Sequence, residues 1–296
     1  MKQGLLERLN NGGVVLGDGG YLMGLRLRGF VKEGHMTPLV VAEHPDAVRQ
    51  FTQEFRDAGS EVLQTLTFFG TRNMMELEGL GDRTEEINRT AVQIAKEVAG
   101  EDVLVAGNLC SPTIMTKDFT PGDENSRKYV AGLLEEQLGW IVDEGVDFLI
   151  LETFSWLEEA LLALDLAKQT KLPTMVTMAY EGHRLKETFE GTAPGECAER
   201  LSQQGADVVG VNCLAGPANM LPLAAEMQEQ TSHPVAIQPS AFHTWWEGVD
   251  EPIAPERFGR FAAEARERKM GYIGACCGAG PEHIQAMAQA LGKAAR

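Results

Sequence analysis

Short runs of apolar residues alternate with longer amphipathic segments along all 296 residues of the chain. The apolar runs are nearly continuous, which is typical of strands that are buried on both faces of a parallel sheet. The longer segments carry apolar residues at helical spacing, and proline often stands where their first turn begins. The pattern therefore predicts a series of strand–helix units.

The predicted strands cover residues 14–18, 61–69, 103–108, 146–152, 173–179, 206–213, 234–238 and 272–275. The predicted helices cover residues 45–59, 84–99, 127–145, 157–170, 196–205, 219–230, 257–269 and 281–291. Eight such units close most simply into an α/β fold of the (β/α)8 or TIM barrel type. An open doubly wound sheet is the alternative, although the first strand lacks the Gly-x-Gly-x-x-Gly turn typical of that fold. No linker interrupts the pattern, so one domain over residues 1–296 is predicted.

Composition and charge narrow the class of protein. A hydrophobic content of 44% and a charged content of 23% are those of a soluble globular protein. The net charge of -17, without a lysine or arginine cluster, argues against nucleic-acid and anionic-membrane partners. The polar first residues and the absence of a long apolar run argue against a signal peptide or membrane span. A cytoplasmic protein is expected, in which clustered thiols indicate metal binding or catalysis more often than disulfides.

Polar residues end nearly every predicted strand, and in a barrel these ends meet around one mouth. They are Asp18, Thr65, Thr67, Asn108, Glu152, Asn212, Cys213, Gln238, Cys276 and Cys277. Such a ring of polar groups is best explained by a metal site beside a polar pocket.

Three of these residues, Cys213, Cys276 and Cys277, supply three of the four tetrahedral positions that Zn2+ prefers and leave the fourth open. Cys110 and Cys197 are expected to be small buried residues. For the vicinal pair alone, packing or a redox role is an alternative. Three thiolates make zinc a weak Lewis acid but a good place to bind and deprotonate a further thiol. The expected reaction is therefore alkylation of a thiol substrate.

Two carboxylates at the strand ends are consistent with a substrate that is an amino acid carrying a thiol. Asp18 and Glu152 are expected to bind its ammonium group, and Gly19 and Gly20 to present backbone N–H groups to its carboxylate. For Asp18 the alternative is a turn residue.

Other polar residues are given structural interpretations. His243 and His283 are expected to be hydrogen-bonding residues, and the glutamate pairs at 85–86, 135–136 and 158–159 are expected to be solvated helix faces.

Motifs along almost the whole chain resemble the homocysteine S-methyltransferase family, with the betaine enzymes as the most similar branch. They are GDGG, QTLTF, DFLILE, PGECA, GVNC, and GACCG with PEHI. The resemblance implies a (β/α)8 barrel with zinc on Cys213, Cys276 and Cys277, all three of them catalytic together with Glu152. It also implies that Asp18 and Glu152 hold the amino group of homocysteine, with Gly19, Gly20 and Thr65 lining the amino-acid site.

The sequence departs from the betaine enzymes where the methyl donor is expected. Met36, Phe69 and Thr153 stand at positions that match a Trp, a Tyr and a Tyr of those enzymes, whose rings hold a quaternary ammonium by cation–π attraction. Residues that are candidates to rebuild a cage are Tyr21, Phe68, Phe154, Trp156, Trp245 and Trp246. We expect Met36, Phe69 and Trp245 to contact the donor, which is betaine or a sulfonium such as dimethylsulfoniopropionate or S-methylmethionine.

The function predicted from the sequence is therefore zinc-dependent methyl transfer from an onium donor to homocysteine, giving methionine. The expected partners are these small molecules, and a homo-oligomer is left open. The alternatives are a methyltransferase component fed by a corrinoid protein, a barrel that holds zinc without catalysis, and a redox protein with a Cys276–Cys277 disulfide.

Overall fold

Eight parallel strands form the centre of the protein in a computed structural model that describes residues 2–10, 12–32, 38–180, 186–242 and 252–293. The strands are β1 (Val15–Leu16), β2 (Val62–Gln64), β3 (Leu104–Cys110), β4 (Phe148–Phe154), β5 (Thr174–Met178), β6 (Val208–Asn212), β7 (Val235–Gln238) and β8 (Tyr272–Ile273). Each pairs with its neighbour in chain order from β2 to β8, and β8 pairs with β1. Between β1 and β2 the backbone N–H of Glu61 donates to the carbonyl of Leu16 over 2.8 Å, so the sheet curls into a nearly closed barrel. The predicted (β/α)8 fold is confirmed, and the open sheet is excluded.

Helices follow the strands on the outside of the barrel, except for the first helix, which precedes β1. Among the described residues they are α1 (Leu5–Asn10), α2 (Tyr21–Leu27), α3 (Pro38–Glu43), α4 (Pro45–Asp57), α5 (Arg72–Leu77), α6 (Thr84–Ala99), α7 (Glu124–Asp143), α8 (Leu157–Lys168), α9 (Pro194–Gln204), α10 (Pro217–Glu229), α11 (Pro255–Glu267) and α12 (Pro281–Ala290). In none of them is the apolar stretch long enough to cross a bilayer. The prediction missed α1, α2, α3 and α5, which are all short.

Two layers of apolar side chains fill the molecule. The larger layer lies between the sheet and the helices. The smaller takes a residue from every strand, among them Phe148, Ile150 and Tyr272, together with Leu5 and Leu9 of α1. It therefore fills the inside of the barrel at the end where the strands begin, which leaves the opposite end for a cavity.

Strand β2 differs most from its predicted range of 61–69. The ladder with β3 ends at Gln64, and the N–H of Thr67 then donates to the carbonyl of Thr65 in a tight turn. The turn is stabilised by the Thr67 hydroxyl, which donates to the carbonyl of Asn108 over 2.6 Å. Residues 65–69 are consequently not part of the strand, although their apolar pattern is that of one, and Thr65, Leu66, Phe68 and Phe69 line the cavity.

Candidate metal and substrate site

The three thiols predicted to bind a metal meet at the carboxyl ends of β6 and β8. Cys213 Sγ lies 3.6 Å from Cys277 Sγ, which lies 4.0 Å from Cys276 Sγ. All three sulfur atoms are within 4.8 Å of one another. Sulfur atoms bound to one tetrahedral zinc are about 3.8 Å apart, given a Zn–S bond of about 2.3 Å. The spacing and the soft sulfur donors therefore fit zinc.

The end of β7 and one glycine hold the thiols together. The N–H of Cys213 donates to the carbonyl of Gln238, and that of Cys276 donates to the carbonyl of Pro239. A Cβ atom on Gly20 would lie 2.5 Å from the carbonyl oxygen of Cys276. Only glycine thus allows the loop after β1 to pack against the vicinal cysteines.

The thiols influence one another electrostatically. Hydrogen bonds from the thiols of Cys276 and Cys277 hold the pKa of Cys213 well below its usual range. The pKa values of Cys276 and Cys277 are raised, chiefly because each is hydrogen-bonded to Cys213. The thiolate of Cys213 therefore forms readily, and its negative charge disfavours ionisation of the other two thiols. A bound cation would offset this repulsion and stabilise all three thiolates.

Glu152 stands at the centre of a buried polar network. Its carboxylate accepts a hydrogen bond of 2.9 Å from the side-chain amide of Asn212 and another from the amide of Asn108. Asn108 also donates to Gln64, whose own amide lies within reach of Gln238. Burial, helped by the neighbouring Cys213 and Asp18, raises the pKa of Glu152 to about 8 although the hydrogen bond from Asn108 lowers it. A cation bound beside this buried carboxyl group would therefore stabilise its ionised form.

Asp18 lies beside this network and is completely buried. One oxygen accepts hydrogen bonds from the Tyr21 hydroxyl over 3.0 Å and from the Gln64 backbone N–H over 2.8 Å. The other oxygen, Oδ1, has no hydrogen-bond partner. Burial raises the pKa of Asp18 to about 7 despite these bonds. An unpaired, buried carboxylate oxygen is costly unless something else occupies its lone pairs.

A cavity of about 520 Å3 opens over the thiols at the mouth of the barrel. Its described lining residues include the predicted Gly19, Gly20, Thr65, Phe69, Glu152, Cys213, Cys276 and Cys277. Asp18 is not one of them, because Tyr21 and Gln64 lie against its carboxylate. The N–H of Gly20 already donates to the carbonyl of Ala279, so its prediction as a free donor is wrong and its role is the close approach to Cys276.

Unusual backbone angles gather around this cavity. Among the described non-glycine residues with positive φ, Phe69, Lys117, Thr153, Cys213 and Leu214 all line it. Such angles cost on the order of 1–3 kcal/mol each and persist where the surrounding structure enforces them. At Thr153 the N–H and hydroxyl are both hydrogen-bonded to Asn212, which holds this residue in place.

The predicted donor-binding residues are only partly brought together. Phe69 lines the cavity, with its ring 4.5 Å from that of Phe68 at an angle of 82°. Phe154 and Trp156 were wrong as cage candidates, because Phe154 points into the apolar core and Trp156 packs between Phe119 and Phe189. Met36, Trp245, Trp246 and His243 lie outside the described residues.

Other residues correct or confirm the sequence analysis. Glu159 was expected on a solvated face but is completely buried, with its carboxylate accepting from the hydroxyls of Ser111 and Thr113. His283 does serve as a hydrogen-bonding residue, since Nδ1 accepts from the N–H of Gly280. Cys110 and Cys197 are buried as expected.

Two polar residues of the cavity lining were missed by the sequence analysis. Gln64 is polar within an otherwise apolar strand, which is a usable signal, whereas Lys117 stands in a loop and carries none.

Comparison with known proteins places the chain among methyltransferases. A family model described as homocysteine S-methyltransferase matches residues 15–291. The S-methylmethionine–homocysteine S-methyltransferase BHMT2 of Pongo abelii is 40% identical over 314 residues, covering 98% of this chain and 82% of the relative. Betaine–homocysteine S-methyltransferase 1 of Danio rerio is 38% identical, covering 98% of this chain and 76% of the relative.

Solved structures share the architecture. The metallated form of the homocysteine methyltransferase MmuM from Escherichia coli matches with a TM-score of 0.79 and 17% identity, covering 96% of this chain and 98% of the other. At this level of identity the likeness concerns the fold.

Proposed function

The chain belongs to the homocysteine S-methyltransferase family, and on that premise we propose that it is a zinc-dependent enzyme that methylates homocysteine from an onium donor to give methionine. The observation that carries the proposal is the shared cavity of three clustered thiols and the buried carboxyl group of Glu152. A thiol-binding metal site and an ammonium-binding carboxylate together match the two ends of an amino-acid thiol.

Cys213, Cys276 and Cys277 would hold the zinc. Zinc bound by three thiolates supplies a position where a fourth thiol is deprotonated and kept nucleophilic near neutral pH. Gly20 packs closely on Cys276, and the backbone N–H groups of Cys213 and Cys276 donate to carbonyls at the end of β7, so the cysteine backbones are held in place without help from the substrate.

Glu152, which lines the cavity, is proposed to bind the ammonium group of homocysteine, and Asp18, which lies behind Tyr21 and Gln64, is proposed to add a second negative charge beside it. Both are buried and carry raised pKa values, so an arriving ammonium group would stabilise their ionised forms. Asn108 and Asn212 each donate to one oxygen of Glu152 and thereby fix the plane of its carboxylate. The substrate sulfur would then be held at a set distance from its amino group.

The methyl transfer itself is a displacement at carbon. The thiolate sulfur of homocysteine forms the new C–S bond while the bond between the methyl group and the donor's onium atom breaks. The electron pair of that bond leaves with the donor, which departs neutral at the onium centre, and the thiol proton has already passed to solvent. Phe68 and Phe69 offer aromatic rings to the cationic donor in the cavity.

A sulfonium donor is proposed ahead of betaine. Thr153 lines the cavity where the resemblance implies a tyrosine, so one ring of a quaternary-ammonium cage is absent at this position. Relatives named for S-methylmethionine are as similar to the chain as those named for betaine. A competition assay with equal concentrations of S-methylmethionine, dimethylsulfoniopropionate and betaine tests this choice, and preferential use of betaine would contradict it.

Substitution of cobalt for zinc tests the thiol half of the proposal. The visible spectrum of the cobalt protein should change when homocysteine is added, because a further sulfur donor would enter the metal's coordination. Homoserine, in which oxygen replaces sulfur, is the matched control and should leave the spectrum unchanged. A spectrum that does not respond to homocysteine would favour a barrel that holds metal without catalysis.

A further inference from the structure

Residues 67–70 form a turn that brings Phe68 and Phe69 into the cavity lining. The N–H of Gly70 donates to the carbonyl of Thr67 over 2.8 Å and closes this 67–70 turn. Phe69 has the third position with a φ of 63°, where turns with a positive φ usually carry glycine. A residue with a side chain pays on the order of 1–2 kcal/mol for this left-handed conformation, so other contacts must hold the turn.

Two buried side-chain amides on the outer helices bind the ends of the 67–70 turn. Gln137 of α7 donates from Nε2 to the carbonyl of Thr67 over 2.8 Å and to Asn88 Oδ1 over 3.0 Å. Asn88 of α6 donates from Nδ2 over 2.8 Å to the carbonyls of Gly70 and Thr84. Each NH2 group thus uses both of its hydrogens, and the two amides are linked to each other.

The turn packs closely on these amides. A Cβ atom on Gly70 would lie 2.6 Å from both Asn88 Oδ1 and Gln137 Nε2, so no side chain fits at this position. The N–H of Phe69 donates to Cys110 Sγ at the end of β3 over 3.3 Å. The helices therefore hold the turn at its two ends, and strand β3 holds it at Phe69.

The amide pair is costly for a buried place. Asn88 and Gln137 are 0% and 1% exposed, and amides are more expensive to bury than apolar side chains of similar size. Gln137 Oε1 has no hydrogen-bond partner among the residues that the structure describes, which adds to the cost. What the pair provides in return is a single conformation of the turn, because a buried hydrogen-bond network specifies geometry.

We propose that Asn88 and Gln137 are positioning residues for the methyl donor. By fixing both ends of the 67–70 turn, they hold the rings of Phe68 and Phe69 towards the cationic centre of the donor, although neither amide lines the cavity. Cation–π attraction requires the cation to lie over the ring within about 6 Å of its centroid, so a turn that relaxes would lose the contact. The inference rests on the proposed function and adds residues that determine how tightly the donor is bound.

The test compares Gln137→Met, which removes the amide and roughly keeps the side-chain volume, with Gln93→Met at an exposed position of α6. Each variant is assayed with saturating homocysteine and increasing dimethylsulfoniopropionate. For Gln137→Met we expect the KM of the donor to rise about tenfold, as for the loss of one cation–π contact. The kcat, the Kd of homocysteine and the zinc content should be little changed. Asn88→Leu releases the other end of the turn and should act in the same way.

A combined variant separates positioning from a general loss of stability. Phe68→Ala with Phe69→Gly removes both rings, and glycine adopts the positive φ at little cost. If Gln137 acts through the rings, adding Gln137→Met to this protein should change the donor KM by less than about twofold, because the two effects are coupled. A merely structural role would lower the melting temperature in both backgrounds without raising the donor KM.

An unchanged donor KM in Gln137→Met and Asn88→Leu, or an equal weakening of homocysteine binding, would overturn the inference and leave the proposed function intact. A full effect of Gln137→Met in the protein without the two rings would overturn it as well. Calorimetric titration with dimethylsulfoniopropionate, without homocysteine, separates the opposite case. Binding that weakens in Gln137→Met, in a protein that makes no methionine, would support the positioning role and refute the proposed function. Absence of both binding and turnover in the unaltered protein would overturn both.

Discussion

Asn212 Nδ2 lies 2.9 Å from Glu152 Oε2 and donates a hydrogen bond to it. Asn212 is the last residue of β6, and Cys213 follows it directly. One strand end therefore fixes both the carboxylate proposed to bind the ammonium of homocysteine and a thiol proposed to bind zinc. The distance between the Glu152 carboxylate and the Cys213 thiol is therefore set by the barrel.

Replacing Glu152 with Gln should weaken homocysteine binding and leave zinc in place. The amide keeps the shape of the side chain but lacks the charge, and a hydrogen bond to a charged group contributes about 1.5–3 kcal/mol. The Kd of homocysteine, measured by calorimetry, should therefore rise by tenfold or more. Glu135→Gln changes an exposed glutamate and should have no effect. Unchanged affinity in the Glu152 variant would refute its role.

Replacing Cys213 with Ala should remove bound metal and activity together. Two thiols remain, and they supply too few ligands for a stable zinc site. Metal content after dialysis is the measurement, and Cys197→Ala is the control because that buried thiol lies on α9, outside the cluster. A Cys213 variant that retains a full equivalent of zinc would show that the cluster is not the metal site.

Gly20 should tolerate no side chain. The Cβ atom of Gly20→Ala would lie 2.5 Å from the carbonyl oxygen of Cys276 and 2.9 Å from the Cα of Cys277, so the vicinal cysteines would have to move. Zinc affinity, measured by competition with a chelator, should fall by tenfold or more. Gly139→Ala meets no atom within 4 Å and lies in helix α7, where alanine is favoured by about 1 kcal/mol. The same zinc affinity in both variants would contradict the packing argument.

The buried carboxyl group of Glu159 should make the protein less stable as the pH rises. Burial raises its pKa in the folded protein from 4.5 to about 7, so the folded state favours the protonated form. The resulting stabilisation is complete below pH 4.5 and is lost as the pH passes through 7. The loss is on the order of 3 kcal/mol for a shift of this size.

Denaturant unfolding of the protein and of Glu159→Gln between pH 5 and 8 measures this effect. The free energy of unfolding should fall less with pH in the variant, because glutamine does not ionise. Glu196→Gln, near the start of α9, should behave as the unaltered protein does. Parallel pH profiles for the protein and Glu159→Gln would contradict the assignment.

The strands and long helices were predictable from the sequence. Strands buried on both faces are nearly continuous apolar runs, and long helices show apolar residues at helical spacing. Helix α6 has the predicted bounds of 84–99, and most strands agree within two residues. The short helices α1 and α2 were missed because six or seven residues carry too few periodic positions. Helix α9 begins at Pro194, two residues before the predicted start, since proline occupies the first turn.

The metal-binding part of the candidate site was predictable, because cysteine is a residue type with a specific chemistry. The clustering of Cys213, Cys276 and Cys277 follows once their strand ends share one rim. The place of Lys117 in the cavity lining could not be predicted, because it depends on how the loop after β3 folds back. Gln64 was missed although a polar residue in an apolar strand is a usable signal. Glu159 was misassigned because its buried partners, Ser111 and Thr113, are distant in the sequence.

Methionine formation is the most direct measurement of the central claim. The zinc-loaded protein is incubated with homocysteine and a sulfonium donor whose methyl group carries an isotopic label, and the product is analysed by mass spectrometry. Labelled methionine that requires both substrates, and that is lost with Cys213→Ala, is the predicted result. A protein that binds zinc and homocysteine but transfers no label from S-methylmethionine, dimethylsulfoniopropionate or betaine would contradict the account.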